Sequence, residues 1–186
     1  MKKRKILSLL LSLVMLIALC PALLPSASAA GPYQLWVQDV QVTDANKGDV
    51  LNDGGSVVFD PGTSTLTLFS ADITGAESPI LNNIYCGIFS YLPALTLELV
   101  GPSTITCEKD GVHNQGIYAQ DLTIRRKDNL SGELTVTASA GDYSCYGVYA
   151  SDTFTMLSGT VVAEAKGGDK DNSIGIWAKS AETAKP

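Results

Sequence analysis

From residue 35 onward the chain alternates apolar and polar residues in short runs, and turn-forming residues separate the runs. Leu95-Thr96-Leu97-Glu98-Leu99, Leu122-Thr123-Ile124 and Phe154-Thr155-Met156 place apolar side chains two residues apart. That spacing puts them on one face of an extended strand. A second set behaves alike. Gly101-Pro102-Ser103-Thr104-Ile105-Thr106-Cys107 aligns with Gly132-Glu133-Leu134-Thr135-Val136-Thr137-Ala138 and with Gly159-Thr160-Val161-Val162-Ala163-Glu164-Ala165. The third, fifth and seventh places are apolar, with Ser103 the exception. Turns rich in Gly, Asp and Ser lie between, among them Lys109-Asp110-Gly111 and Ser139-Ala140-Gly141-Asp142. No helical period is sustained in this part of the chain.

A four-residue word organises the rest: glycine, a β-branched aliphatic, an aromatic, then a small residue. It occurs as Gly87-Ile88-Phe89-Ser90, Gly116-Ile117-Tyr118-Ala119, Gly147-Val148-Tyr149-Ala150 and Gly175-Ile176-Trp177-Ala178. Successive words stand about 30 residues apart, a period in the range of solenoid repeats. Each interval then contains three short strands joined by turns. Three strands per ~30-residue repeat is the plan of a parallel β-helix, in which one repeat is one coil and like residues stack on like. A β-sandwich with regular strands is the competing architecture, but it gives no reason for one word to return at one place. Residues 81–186 are read as these coils. Residues 30–80 are read as an N-terminal cap and first coil, with a hairpin of Ser56-Val57-Val58-Phe59 and Thr65-Leu66-Thr67-Leu68 around Asp60-Pro61-Gly62-Thr63-Ser64. A cap covers backbone that would otherwise pair with another chain. No equivalent follows the fourth word, so the C-terminal end is expected to be uncapped or truncated.

Residues 1–29 read differently. Lys2, Lys3, Arg4 and Lys5 precede an apolar run from Ile6 to Cys20, and Ala27-Ser28-Ala29 gives a small-x-small pattern. This is a signal peptide cleaved after Ala29, in a run short for a spanning helix of ~20 residues. Its removal leaves nine basic against 19 acidic groups, a net charge of −10. That balance argues against nucleic acid and against anionic membrane surfaces, which need basic patches. Of four cysteines, Cys86, Cys107 and Cys145 remain, too few and too odd in number for a disulfide framework. Cys107 takes the place held by Ala138 and Ala165, so a buried thiol is expected there. Cys86 and Cys145, two repeats apart, are expected to be too distant to bridge.

Leu35-Trp36-Val37, Val42-Thr43-Asp44-Ala45-Asn46, Asp49-Val50-Leu51, Phe59-Asp60-Pro61, Thr65-Leu66-Thr67-Leu68 and Ile73-Thr74-Gly75, with the later glycine-led words, form one pattern. It resembles the secreted right-handed β-helix family of carbohydrate-binding domains common in anaerobic Gram-positive bacteria. The resemblance spans nearly all of the chain after the signal segment. It implies an all-β, right-handed parallel β-helix that is secreted or held at the cell surface, polysaccharide binding, calcium in some members, and no catalysis. It supplies no matched ligand-binding residue.

The residues suggest where binding would occur. If Ile88, Ile117, Val148 and Ile176 point inward, Phe89, Tyr118, Tyr149 and Trp177 form an outer ladder on the face shared with the glycines. Exposed rings suit the apolar faces of sugars, and the glycines would leave room for a ligand. Inward or purely mutual stacking is the alternative. Among acidic turn residues, Asp142, Asp169 and Asp171 are the candidates for calcium, although no known calcium-loop spacing is present. Enzymatic signals are weak. His113 is the only histidine, in a polar turn, and Arg125-Arg126-Lys127 is the one basic cluster a lyase could use. A carbohydrate-binding module without catalysis is therefore the leading expectation. A structural or adhesive protein binding another protein, and then a polysaccharide lyase, follow it.

Overall fold

The computed structural model describes residues 32–140, 143–167 and 172–183. Residues 1–29, expected to be a signal peptide, and the calcium candidates Asp142, Asp169 and Asp171 lie outside them. The described residues form strands without helix, wound into a parallel β-solenoid of about four turns, the architecture of a right-handed parallel β-helix. No helix among them is long and apolar enough to cross a membrane.

Three stacks of strands make the sides of each coil. The first contains β7 (Ile84–Ser90), β9 (His113–Ala119), and the starts of β12 (Cys145–Met156) and β14 (Ser173–Thr183). Its register joins Ile88 to Ile117, Ile117 to Val148 and Val148 to Ile176. The glycine-led words therefore lie directly over one another. The second stack runs from β4 (Thr65–Phe69) through the start of β8 (Ala94–Glu108), β10 (Asp121–Arg126) and the end of β12 to the end of β14, with Leu66, Leu97, Ile124 and Met156 in line. The third contains β5 (Asp72–Thr74), the end of β8, β11 (Gly132–Ser139) and β13 (Thr160–Lys166), with Ile73, Ile105, Val136 and Ala163 in line. Leu97, Ile105, Ile117 and Val136 are fully buried. Burying each such side chain stabilises by roughly 1.5–3 kcal/mol, so the stacked columns carry the fold.

One expectation needs correction. In the coil built on β8 the second and third strands are not separate elements joined by a turn. β8 runs unbroken for 15 residues and bends at Gly101, whose φ of 73° lies in the left-handed region. A residue with a side chain is strained there. β12 rounds the preceding corner with a register irregularity between Ala150 and Thr153. The later coils keep the expected turns between the second and third strands, residues 127–131 between β10 and β11 and residues 157–159 between β12 and β13, and turns also follow the third strand, as at Lys109-Asp110-Gly111.

The N-terminal segment closes the solenoid from one side. β3 (Val57–Asp60) forms an antiparallel hairpin with β4. Asp60 fixes its turn by accepting from the Gly62 amide at 2.9 Å and the Thr63 hydroxyl at 2.8 Å. β1 (Leu35–Val37) lies antiparallel to β7, and β2 (Val40–Gln41) pairs with β1. Val37, Val42, Val50, Val57 and Phe59 are buried and join the same core as the coils. The far end differs. Among the described residues no strand lies beyond β13 or β14. Ile176 is 40% exposed although Val148, in the same column, is at 0%. Val161, Ala163 and Ala165 are half-buried where Leu134, Val136 and Ala138 are buried.

All three thiols are free and buried. Cys107 stacks on Ala138, as its place in the repeat predicts. Cys145 aligns with Asn114, and Cys86 with Gln115, so the two cysteines occupy neighbouring columns. Burial raises the Cys107 thiol to about 12 and lifts Cys86 well above its ordinary value. A raised folded-state value means that the native state keeps its proton where the unfolded chain loses it. This contribution is complete below pH ~9 and is lost as pH climbs from there toward 12. Denaturation curves between pH 8 and 11.5 should show that decline, and Cys107→Ala should flatten it. A decline of the same slope in Cys107→Ala would assign it to other groups. Thiol reagent at pH 8 should leave Cys86 and Cys107 unmodified until denaturant is added.

Candidate functional site

The aromatic residues of the four words form one continuous ladder. Phe89 and Tyr118 stack with centroids 5.0 Å apart and planes 17° from parallel. Tyr118 and Tyr149 follow at 5.5 Å and 6°, and Tyr149 and Trp177 at 4.5 Å and 8°. These separations match the strand spacing of about 4.8 Å, so in-register coils bring the rings face to face. Each stacked pair adds roughly 0.5–1.5 kcal/mol.

The geometry places the predicted ligand residues differently from the simple picture. Phe89 is 2% exposed. Trp36 leans on it at 5.8 Å and 60°, Tyr91 meets it edge-on at 5.0 Å, and Cys86 completes the cluster. Phe89 is therefore an anchor inside the strip, out of a ligand's reach. Tyr118, Tyr149 and Trp177 are half-buried. Their faces are turned on one another and their edges toward solvent. Trp177 differs because, among the described residues, no ring stacks on its second face.

The glycines do not share the outer face. A Cβ on Gly116 would stand 2.0 Å from Val136 Cγ1 and 2.5 Å from the Gly147 carbonyl oxygen. A Cβ on Gly87 would stand 2.4 Å from Ile105 Cγ2. Those partners belong to the core, so the glycine and the aliphatic after it both face inward. Cross-coil pairing runs through Gln115 and Ile117 and passes over Gly116. This local break of alternation returns the aromatic to the outside. The glycines make room for the opposite wall of the coil and leave no space for a ligand.

Sequence reading missed the residues that flank the ladder. Tyr91 packs edge-on against Tyr118 at 5.8 Å, and Tyr146 against Tyr149 at 5.1 Å. Burial, with the neighbouring Tyr91 and Tyr149 adding to it, raises the Tyr118 phenol above its usual value. Gln115 lies between Cys86 and Tyr146 in the adjacent column, and its buried amide oxygen has no hydrogen-bond partner. A Tyr just after the first word and one just before the third were the available signals. They do not recur in every repeat and so escape a search for periodicity.

The other predicted groups stay apart. His113 opens β9, half-buried, with its ring edge-on to Tyr143 at 5.1 Å. Arg125 and Lys127 both pair with Glu98, on a different stack from the ladder. Among the described residues no group of three or more His, Cys, Asp or Glu side chains converges in a way that could hold a metal ion. Searches of known protein families, of curated proteins and of solved structures found no match to this chain.

Proposed function

We propose that this chain is a secreted or cell-surface carbohydrate-binding module without catalysis, which docks polysaccharide along the aromatic side of its solenoid. The carrying observation is the in-register ladder that ends at Trp177, on whose second face, among the described residues, no ring stacks. A repeating outer face offers the same groups to each unit of a polymer laid along the axis. Catalysis instead needs different groups converging on one reacting atom. The edges and hydroxyls of Tyr118 and Tyr149 supply lateral contacts, and Trp177 supplies stacking at the end of the ladder. The basic, apolar and small-x-small order of residues 2–29 supports export. An acidic balance supports a soluble partner that is neither nucleic acid nor anionic membrane.

Affinity electrophoresis through gels containing cellulose, pectin or mucin glycans tests this reading. Retention on at least one is expected. Trp177→Ala should weaken it about tenfold, near 1.4 kcal/mol, while Phe89→Leu should leave it unchanged because Phe89 cannot touch the polymer. A chain that no glycan retards refutes the reading. Retention by wall or host protein in its place would identify a protein adhesin.

A further inference from the structure

A groove of about 320 Å³ opens outside the second stack, and no ring of the ladder lines it. Glu98 of β8 forms its floor, with its side chain 13% exposed. Arg125 Nη2 lies 3.1 Å from one carboxylate oxygen of Glu98, and Lys127 Nζ lies 3.2 Å from the other. Thr67 donates its hydroxyl to Glu98 at 3.4 Å. The repeat builds this row: Thr67, Glu98 and Arg125 occupy one register position in three successive coils. Phe69 stands on the rim, 38% exposed, with Lys127 Nζ 5.7 Å from its ring centre. Asp60 lines the groove as well, its carboxylate already engaged by the hairpin turn.

These groups select a ligand chemistry. The two cations are matched by two carboxylates, in a chain that is acidic overall. An anionic ligand reaching for Arg125 and Lys127 would meet Glu98 between them and be repelled. Adjacent neutral hydroxyls would instead find an acceptor in Glu98, donors in Arg125 and Lys127, and either in Thr67. The exposed ring of Phe69 would take the C–H face of a sugar. The groove is at the small end of the volumes that hold organic ligands, which suits one or two sugar rings. We propose that this groove is a subsite for a neutral mono- or disaccharide, hydrogen-bonded by Glu98 and Lys127 and stacked on Phe69. The proposal rests on the glycan-binding reading above and places a second contact on a separate side of the coil.

Amide NMR of the full chain, titrated with cellobiose, maltose, lactose and galacturonic acid, tests it. At least one neutral disaccharide should move the signals of Thr67, Phe69 and Lys127, and galacturonic acid should move them less. Phe69→Ala, which keeps the ion pairs, should raise the Kd at least tenfold, and Glu98→Gln should do the same. If Glu98→Gln does not fold, Phe69→Ala decides alone. No movement with any sugar would reduce the groove to an ion-pair network, and preference for galacturonic acid would overturn the charge argument. Polymer retention that depends on Trp177 but not on Phe69 would sink the groove and leave the ladder standing. Disaccharide binding that survives in Trp177→Ala, without polymer retention in the wild type, would do the reverse.

Discussion

Gly116→Ala is expected to destabilise the solenoid by about 3 kcal/mol, at the upper end of the cost of overpacking, and to lower Tm by roughly 6–12 °C. The added methyl would stand 2.0 Å from Val136 Cγ1 and 2.5 Å from the Gly147 carbonyl oxygen. Real carbon atoms do not approach so closely, so something must move. Val136 is fully buried between Ile105 and Ala163 in its column and has little freedom. The carbonyl belongs to the next coil and cannot shift without disturbing the stack. Gly48→Ala is the matched control. Nothing lies within 4 Å of its added methyl, and its φ is not in the left-handed region. It should be neutral or stabilise by about 0.4–1 kcal/mol through the unfolded chain. Denaturant melts of the two variants check the argument, and equal midpoints would show that the first-word glycines are not sites of close approach.

A second pair of substitutions tests the stacking itself. Ile117→Ala should cost about 3 kcal/mol, within the range for a buried isoleucine in a core that cannot fully collapse. Ile176→Ala, two coils further along the same column, should cost less than about 1 kcal/mol, because little apolar area leaves a water-free setting there. The side chains are identical and the backbone is in register. They differ in burial, 0% against 40% exposed. A loose core would erase the difference, and so would a fifth coil covering Ile176 in solution. Urea titration separates the variants, and equal losses would contradict the open end.

The fold was legible because its signals repeat. Ile88, Ile117 and Val148 recur with the glycine-led word, and a solenoid is the arrangement that makes such recurrence useful. Cys107 was legible for the same reason, since Ala138 and Ala165 mark its place. The site was less so. Strict alternation assigned the glycines to the aromatic face, but the chain breaks alternation at each of them to bring two coil walls together. The ladder residues were identifiable from sequence, yet whether their faces met solvent or one another depended on coil spacing. Phe89 resembles Tyr118 in the word, but it is buried by Trp36 and Tyr91, which lie outside the word. The groove was hidden by distance: Phe69, Glu98 and Lys127 are each a full repeat from the next in sequence, and only the winding makes them neighbours.

The contrast between the plugged N-terminal end and the bare strands β13 and β14 gives the described part of the molecule a direction. Each coil leans mainly on the ones before and after it. Loss of order therefore has a preferred starting point, at the last coil, where half-buried side chains offer least resistance. It would advance rung by rung toward the cap. Trp177 sits on that first rung to yield, so the surface proposed to hold sugar is also the least firmly held part of the spiral, and a polymer laid across several rungs would brace the end most prone to fray.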